Sequence, residues 1–347
     1  MAEPLTDTAE RPRAGTTGGK TSPPSRPRPF ADVRLLGPLL RLLGLLARRA
    51  LMLAVLLATL FAAVELLPGD AATATAERGE SAADIAERRA LLGLDRPVLE
   101  RFAEWMTGLP TGDLGTSARG EEVADLLSRP FPNTLLLGGL ALLVTLLASL
   151  ALGGWAALRP GGRTDRAISG SATAVLALPE FVVGVALVLI FAQWLEWLPA
   201  VTLADSEGAP ASWQMLVLPV VALSIPQIGW NTRIVRAALA DEARAPHVET
   251  AVLDGLPSHR VLLHHVLPGA LPAIAAGLAT STGMLLGGAV VVETVFNHPG
   301  LGAVLAGAVT DRDGPVIAGV VAVTGAVITV VLLLADLVRA WASGGRP

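Results

Sequence analysis

The strongest constraint on this chain is the length of its apolar blocks. Six stretches are each long enough to cross a bilayer with few or no charges inside, at about 50–67, 133–158, 168–195, 213–232, 271–292 and 315–338. A membrane-spanning helix needs about 20 consecutive apolar residues, and in lipid every backbone polar group must be satisfied within the segment or its partners. Composition agrees: 52% of the 347 residues are hydrophobic and 16% are charged, where soluble chains carry about 25% charged residues. The expected fold is an all-α integral membrane protein with six transmembrane helices. The chain has no cysteine, which excludes disulfides, thiol nucleophiles and thiolate metal sites. No basic tract points to nucleic acid.

The segments between the blocks set the expected organisation. Residues 1–45 form a cytoplasmic N-terminal extension; over 1–30 they are rich in Pro, Arg, Thr and Gly and should be disordered. Ala14 to Thr21 is one residue from a phosphate-binding loop, but Ala14 replaces the first glycine and Pro23-Pro24 follows where a helix must begin. It reads as flexible tail. Arg34, Arg41, Arg48 and Arg49 among leucines make an amphipathic approach to the first span, 46–67. That span is too long for a cleaved export signal ending near Ala72-Thr73-Ala74. Residues 68–130 form a helical insert with twelve acidic residues against seven arginines. Residues 131–342 are the core domain with the other five spans. Arginines gather before the first span and in 159–166, 233–260 and 339–346. The positive-inside rule puts these on the cytoplasmic side. Both termini are then cytoplasmic, and the 68–130 insert faces outward. Trp194, Trp197 and Trp213 fall at the opposite, external ends of their spans.

Residues 241–272, between the fourth and fifth blocks, are polar and helix-capable and hold four of the five histidines. Ala251, Val252 and Leu256 offer a small apolar face. Gly255 supplies a helix stop with φ > 0, Pro257 cannot continue the helix, and Ser258 is placed to cap the next one. Glu249-Thr250-Ala251, Gly255, His265 and Leu267-Pro268 stand at spacings that resemble the E-A-A-x3-G-x9-I-x-L-P motif of the membrane subunits of ABC importers. Thr250 and His265 depart from it.

Further pieces stand in order along 48–342. They are Leu67-Pro-Gly-Asp70, Leu92-Gly-Leu-Asp95-Arg-Pro97 and Gly112-Asp-Leu-Gly115-Thr-Ser117. Pro179-x-Phe181-x-x-Gly184, Trp197-Leu-Pro199 and Arg233-x-x-Arg236 follow, and then Gly287 to Phe296 with Pro299-Gly-Leu-Gly302. Together they resemble the permease subunits of the dipeptide, oligopeptide and nickel branch of ABC importers. The N-terminal extension, Glu180 and Glu249 depart from that branch's usual pattern.

The resemblance implies a plasma-membrane, multi-pass permease that is not itself an enzyme. It implies a second homologous permease subunit, two cytoplasmic ATP-binding subunits that hold ATP and Mg, and an extracytoplasmic substrate-binding protein. The EAA-like segment 241–268 would dock on an ATPase, with Glu249, Thr250, Ala251, Asp254, Gly255 and Leu256 as its coupling residues. Peptides are the expected substrate, with nickel, oligosaccharide or another small solute as alternatives.

Glu180, Gln227, Asn231, Thr280, Ser281 and Glu293 are the candidates for the translocation path. A carboxylate at the depth of Glu180 costs about 2.5–3.5 kcal/mol on insertion scales, so it should face a cavity or a partner. It could line the path and meet a substrate's amino group, or be neutralised or paired. The amides and hydroxyls of the others also serve helix packing. For Glu293, at a helix end, structural pairing is expected ahead of substrate contact. The histidines of 241–272 tempt toward a metal site, but on the cytoplasmic side they read as surface and interface residues. His298 is external and alone. Pro219, Pro226 and Pro272 should break backbone bonds in or near their spans. A secondary transporter would need paired broken helices and ion-coupling carboxylates, and would leave the EAA-like segment unexplained.

Overall fold

The computed structural model describes residues 33–66, 69–76 and 79–344. The expected disordered tail, with its loop-like Ala14–Thr21, lies outside these residues. The chain divides into two compact units, Met1–Arg48 and Arg49–Pro347.

Among the described residues the secondary structure is helical, with two isolated β-bridges. Helix α1 is Val33–Glu65. The insert follows with α2 (Ala71–Ala74), α3 (Ala82–Leu91), α4 (Val98–Gly108) and α5 (Val123–Ser128). Two of its helices start where the sequence supplies caps: Asp70 and Thr73 form a reciprocal capping box on α2, and Ser81 and Asp84 form one on α3. Next come α6 (Pro130–Ala157), α7 (Arg163–Leu176) and α8 (Glu180–Leu187), the last extended by a π-helical turn over Val188–Trp194. Then follow α9 (Gln214–Glu242), α10 (Pro246–Leu253) and α11 (Ser258–Val261). A second π-helical turn, Leu262–Val266, joins α11 to α12 (Leu267–Phe296), and α13 (Leu301–Thr310) and α14 (Gly314–Gly344) close the chain.

Five helical stretches are long and apolar enough to cross a membrane, and the α7–α8 pair makes a sixth if taken as one span. The expected third span is therefore not one rod: α7 and α8 meet at 101°. Pro179 explains the break, because a residue before proline is pushed out of the α region and the pyrrolidine cannot donate to the preceding turn. Pro219 and Pro226 behave differently. α9 runs through both and continues ten residues beyond the expected end of its span. α13 was not expected from the hydropathy pattern; it is an apolar helix of 10 residues, too short to cross.

The core lies where α6, α9 and α12 meet, around Leu137, Leu223, Leu285 and Phe296. One further cluster ties the insert to α13 and α14 through Val123, Leu127, Leu301 and Ile317. Another joins α9, α10 and α12 through Val235, Leu239, Val248, Ala251 and Ile274. Many large apolar side chains remain exposed on the long helices, Leu51, Leu147 and Leu189 among them, as expected for surfaces that meet lipid.

Candidate coupling and translocation site

The segment after α9 forms a helix, a tight turn and a second helix. α10 ends with the Gly255 N–H donating to the Val252 carbonyl (3.0 Å) and the Leu256 N–H donating to the Ala251 carbonyl (3.2 Å). This pair of bonds places Gly255 in the left-handed region at φ 77°, where glycine has no Cβ penalty. Two expectations need correction. The apolar face is divided: Val248 and Ala251 are buried against α9 and α12, while Val252 and Leu253 point outward, Leu253 at 79% exposure. The helical period explains it: Val248 and Ala251, three positions apart, share the inward face, and Val252 and Leu253 fall outside it. Ser258 makes no capping bond; the α11 N-terminus is satisfied through the Pro257 carbonyl, which accepts from Arg260 (2.8 Å) and Val261 (3.1 Å). Glu249, Thr250, Asp254 and Gly255 are exposed, and Leu256 is half-buried. His247 faces the His265 carbonyl (3.2 Å) and Glu242 (3.5 Å). No three metal-ligating side chains converge among the described residues.

A forked ion pair stands above this segment. Arg236 on α9 donates through Nε and Nη2 to both carboxylate oxygens of Asp165 on α7, at 2.9 and 2.7 Å. Asp165 is buried and also accepts from the Gly161 N–H (2.8 Å) and Ser169 Oγ (3.2 Å). The fork gives geometric specificity that a single contact lacks. It joins the first half of the broken span to the helix that leads into α10. Both residues were visible in the sequence, but their pairing was not, because 71 positions separate them.

The path candidates fall into three environments. Gln227, Asn231 and Ser281 are buried at the α9–α12 contact. Asn231 donates to Ser281 Oγ (2.6 Å) and to the Gln227 carbonyl (2.9 Å). The Gln227 side-chain oxygen is buried and unpartnered among the described residues. Thr280 is exposed on α12, its hydroxyl turned back to the Ala276 carbonyl (3.0 Å). Glu180 opens α8 immediately after the break; it is half-buried, with its carboxylate lying directly over Gly288 of α12, where a Cβ would collide with it.

Glu293 occupies the third environment. It is 1% exposed, accepts from Thr134 Oγ1 (2.7 Å) and the Gly302 N–H (2.6 Å), and so holds the Pro299–Gly302 turn onto α6 and α12. Its carboxylate reaches protein donors, not open water. His298 is not alone: it is buried beside this turn, with Nε2 3.3 Å from the Asn133 carbonyl. Burial depresses its pKa, against the pull of that carbonyl.

The chain thus combines a helical core, a bent helix pair at α7–α8 and an exposed helix-turn-helix between two long apolar helices. The chain belongs to the family of binding-protein-dependent transport system inner membrane components, which matches residues 149–344. It is 32% identical over 280 residues to a probable peptide ABC transporter permease of Sinorhizobium fredii, covering 80% of this chain and 90% of the relative. It is 35% identical over 301 residues to a glutathione transport system permease of Pectobacterium atrosepticum, covering 86% and 95%. Among solved structures it is similar to the inward-facing MetNI methionine ABC transporter, with TM-score 0.48 and 18% identity over 62% of this chain and 95% of that one. This chain is an ABC importer permease, a multi-pass protein of the inner membrane.

Proposed function

We propose that the chain carries peptides inward, driven by ATP hydrolysis on two partner subunits that hold the ATP and Mg. A second permease subunit would complete the path, and an extracytoplasmic binding protein would deliver the substrate. The names of the relatives support peptides as cargo. The observation that carries the coupling role is the exposure of Val252 and Leu253 at the α10 turn. On a short, otherwise polar segment between spans this apolar pair is suited to a protein contact, and Ala251 in the core ties that contact to α9 and α12.

In this reading the residues outside the membrane divide into an external insert, 68–130, and a cytoplasmic segment, 241–268. Movement of the docked ATPase displaces α10 as a rigid body, because Val248 and Ala251 are packed behind it. α9 is one continuous helix from the α10 junction to the buried Asn231–Ser281 contact, so displacement at one end is felt at the other. The Asp165–Arg236 fork passes it to α7 and so to the break before Glu180. Glu180 and Thr280 face the path and meet the cargo, whereas Gln227, Asn231 and Ser281 fix helix register beside it. Glu293 holds the turn after α12. By reciprocity, a cargo that favours one state of the path also favours the matching state of the ATPase.

Reconstitution of the complete importer tests this. Labelled peptide uptake should require ATP, and Leu253→Asp should abolish uptake while leaving thermal stability unchanged. Uptake that persists without ATP, or that Leu253→Asp leaves intact, would refute the assignment.

A further inference from the structure

A cavity lies between the insert and the start of α14, and neither Glu180 nor Thr280 lines it. Its volume is about 630 Å³, within the roughly 300–1,000 Å³ range of small-molecule sites. Phe61, Val64 and Trp105 supply apolar wall, and Arg312 and Asp113 also line it.

Arg312 is where the backbone argues for a function. α13 ends as α10 does: the Arg312 N–H donates to the Val309 carbonyl (3.3 Å) and the Asp313 N–H to the Ala308 carbonyl (2.8 Å). At α10 the residue at this turn is Gly255; at α13 it is Arg312, at φ 54°. A Cβ in this left-handed conformation is strained, so glycine would serve the turn better. Arginine stands here despite a backbone cost, and such residues gather at ligand clamps.

Its guanidinium lies over Gly69, at which any Cβ would collide with it. Among the described residues it has neither an ion-pair nor a hydrogen-bond partner. The surrounding carboxylates do not compete for it. Glu65 pairs with Arg101, Asp70 with Arg89 and Glu104 with Arg96, and Asp313 accepts from the Ala118 and Val316 N–H groups. Asp113 is the remaining acid; its Oδ1 accepts from the Gly115 N–H (2.8 Å), and it has no cationic partner among the described residues. The cavity therefore presents one uncommitted cation, one uncommitted carboxylate and an aromatic wall.

We propose that this cavity binds the zwitterion of a short peptide. Arg312 takes the C-terminal carboxylate, Asp113 the ammonium group, and Phe61 and Trp105 an apolar side chain. The inference rests on the peptide reading above and adds a holding site outside the path.

The test uses the assembled importer in nanodiscs, without its binding protein, and radiolabelled L-alanyl-L-phenylalanine as probe. The free dipeptide should bind, and its C-terminal amide and its N-acetyl form should each bind about tenfold more weakly, as loss of a charge-assisted contact requires. Arg312→Gly should weaken the dipeptide by a similar factor and leave the thermal midpoint unchanged or higher, since glycine relaxes the turn. Asp113→Asn should weaken the dipeptide but not its N-acetyl form. No binding by the free dipeptide, or equal binding by acid and amide, overturns the proposal. So does an Arg312→Gly protein with a lowered midpoint and undiminished binding, which would make Arg312 a structural strut. If that variant does not assemble, Asp113→Asn compared on the free and N-acetyl dipeptides still decides, because Glu180 also senses a blocked amine whereas Asp113, unlike Glu180, lines this cavity. ATPase docking at Leu253 without dipeptide binding here would sink this inference alone; loss of the docking itself would sink the coupling role proposed above.

Discussion

The Glu293 carboxylate accepts a hydrogen bond from the Gly302 N–H at 2.6 Å, across a turn that leaves the acid 1% exposed. Neither Gly300 nor Gly302 can gain a Cβ without striking that carboxylate. Pro299-Gly-Leu-Gly302 is therefore a cradle for one acid. Gly302→Ala should destabilise the protein by about 1–3 kcal/mol, the usual cost of overpacking. Glu293→Ala should cost about as much or more, because it leaves the Thr134 hydroxyl and the Gly302 N–H unpaired. Glu293→Gln keeps an acceptor for Gly302 and should be much milder. Thermal unfolding of the detergent-purified protein, followed by size-exclusion recovery, orders the three.

The Asp165–Arg236 fork should matter to coupling more than to folding. Arg236→Lys keeps the charge but loses the fork, so it should lower uptake by about tenfold while the partner subunits still hydrolyse ATP. Uptake and hydrolysis measured together in proteoliposomes separate this from a simple folding defect, which would lower both.

Asp313 gives the insert a pH dependence. Burial holds its carboxyl above the ordinary value of 3.8, against the pull of the Ala118 and Val316 N–H groups. In the window above 3.8 the folded state then binds more protons than the unfolded one, and stability falls as pH rises. Asp313→Asn should flatten that slope while retaining a capping side chain for α14. Hydrogen exchange of the 313–320 amides between pH 4 and 7 measures it.

Glu180 makes a prediction about cargo. If its carboxylate meets a peptide's amino group, Glu180→Gln should raise KM about tenfold for free-amino peptides, on the scale of hydrogen bonds to charged groups. It should leave N-acetylated peptides little changed. Competition uptake assays with matched peptide pairs read the difference.

Much of the architecture was legible because bilayer physics is one-dimensional: an apolar block of sufficient length must span, whatever its neighbours. The α10–Gly255–α11 turn was legible for a local reason, since glycine followed by proline stops a helix. What the sequence hid depends on tertiary partners. Pro179 and Pro226 are equally visible, yet one breaks a span and the other sits inside α9, where neighbouring helices bury it. Ala251 and Val252 are both small and apolar, but only placement against Val235 and Ile274 decides which turns inward. Burial of Glu293 needed Thr134, 159 residues away.

Docking of an ATPase on the α10 turn is the central claim, and the absence of native cysteine allows a direct test. Leu253→Cys would be the sole thiol, and at 79% exposure it should label without disturbing the core. A photo-crosslinker placed there in intact membranes, with products identified by mass spectrometry, should capture the ATP-binding subunit of the importer from the cytoplasmic side. A probe at an exposed position of the insert, such as Leu99, should not capture it. Labelling of Leu253→Cys only from the external face, or products that lack an ATP-binding subunit, would contradict the account.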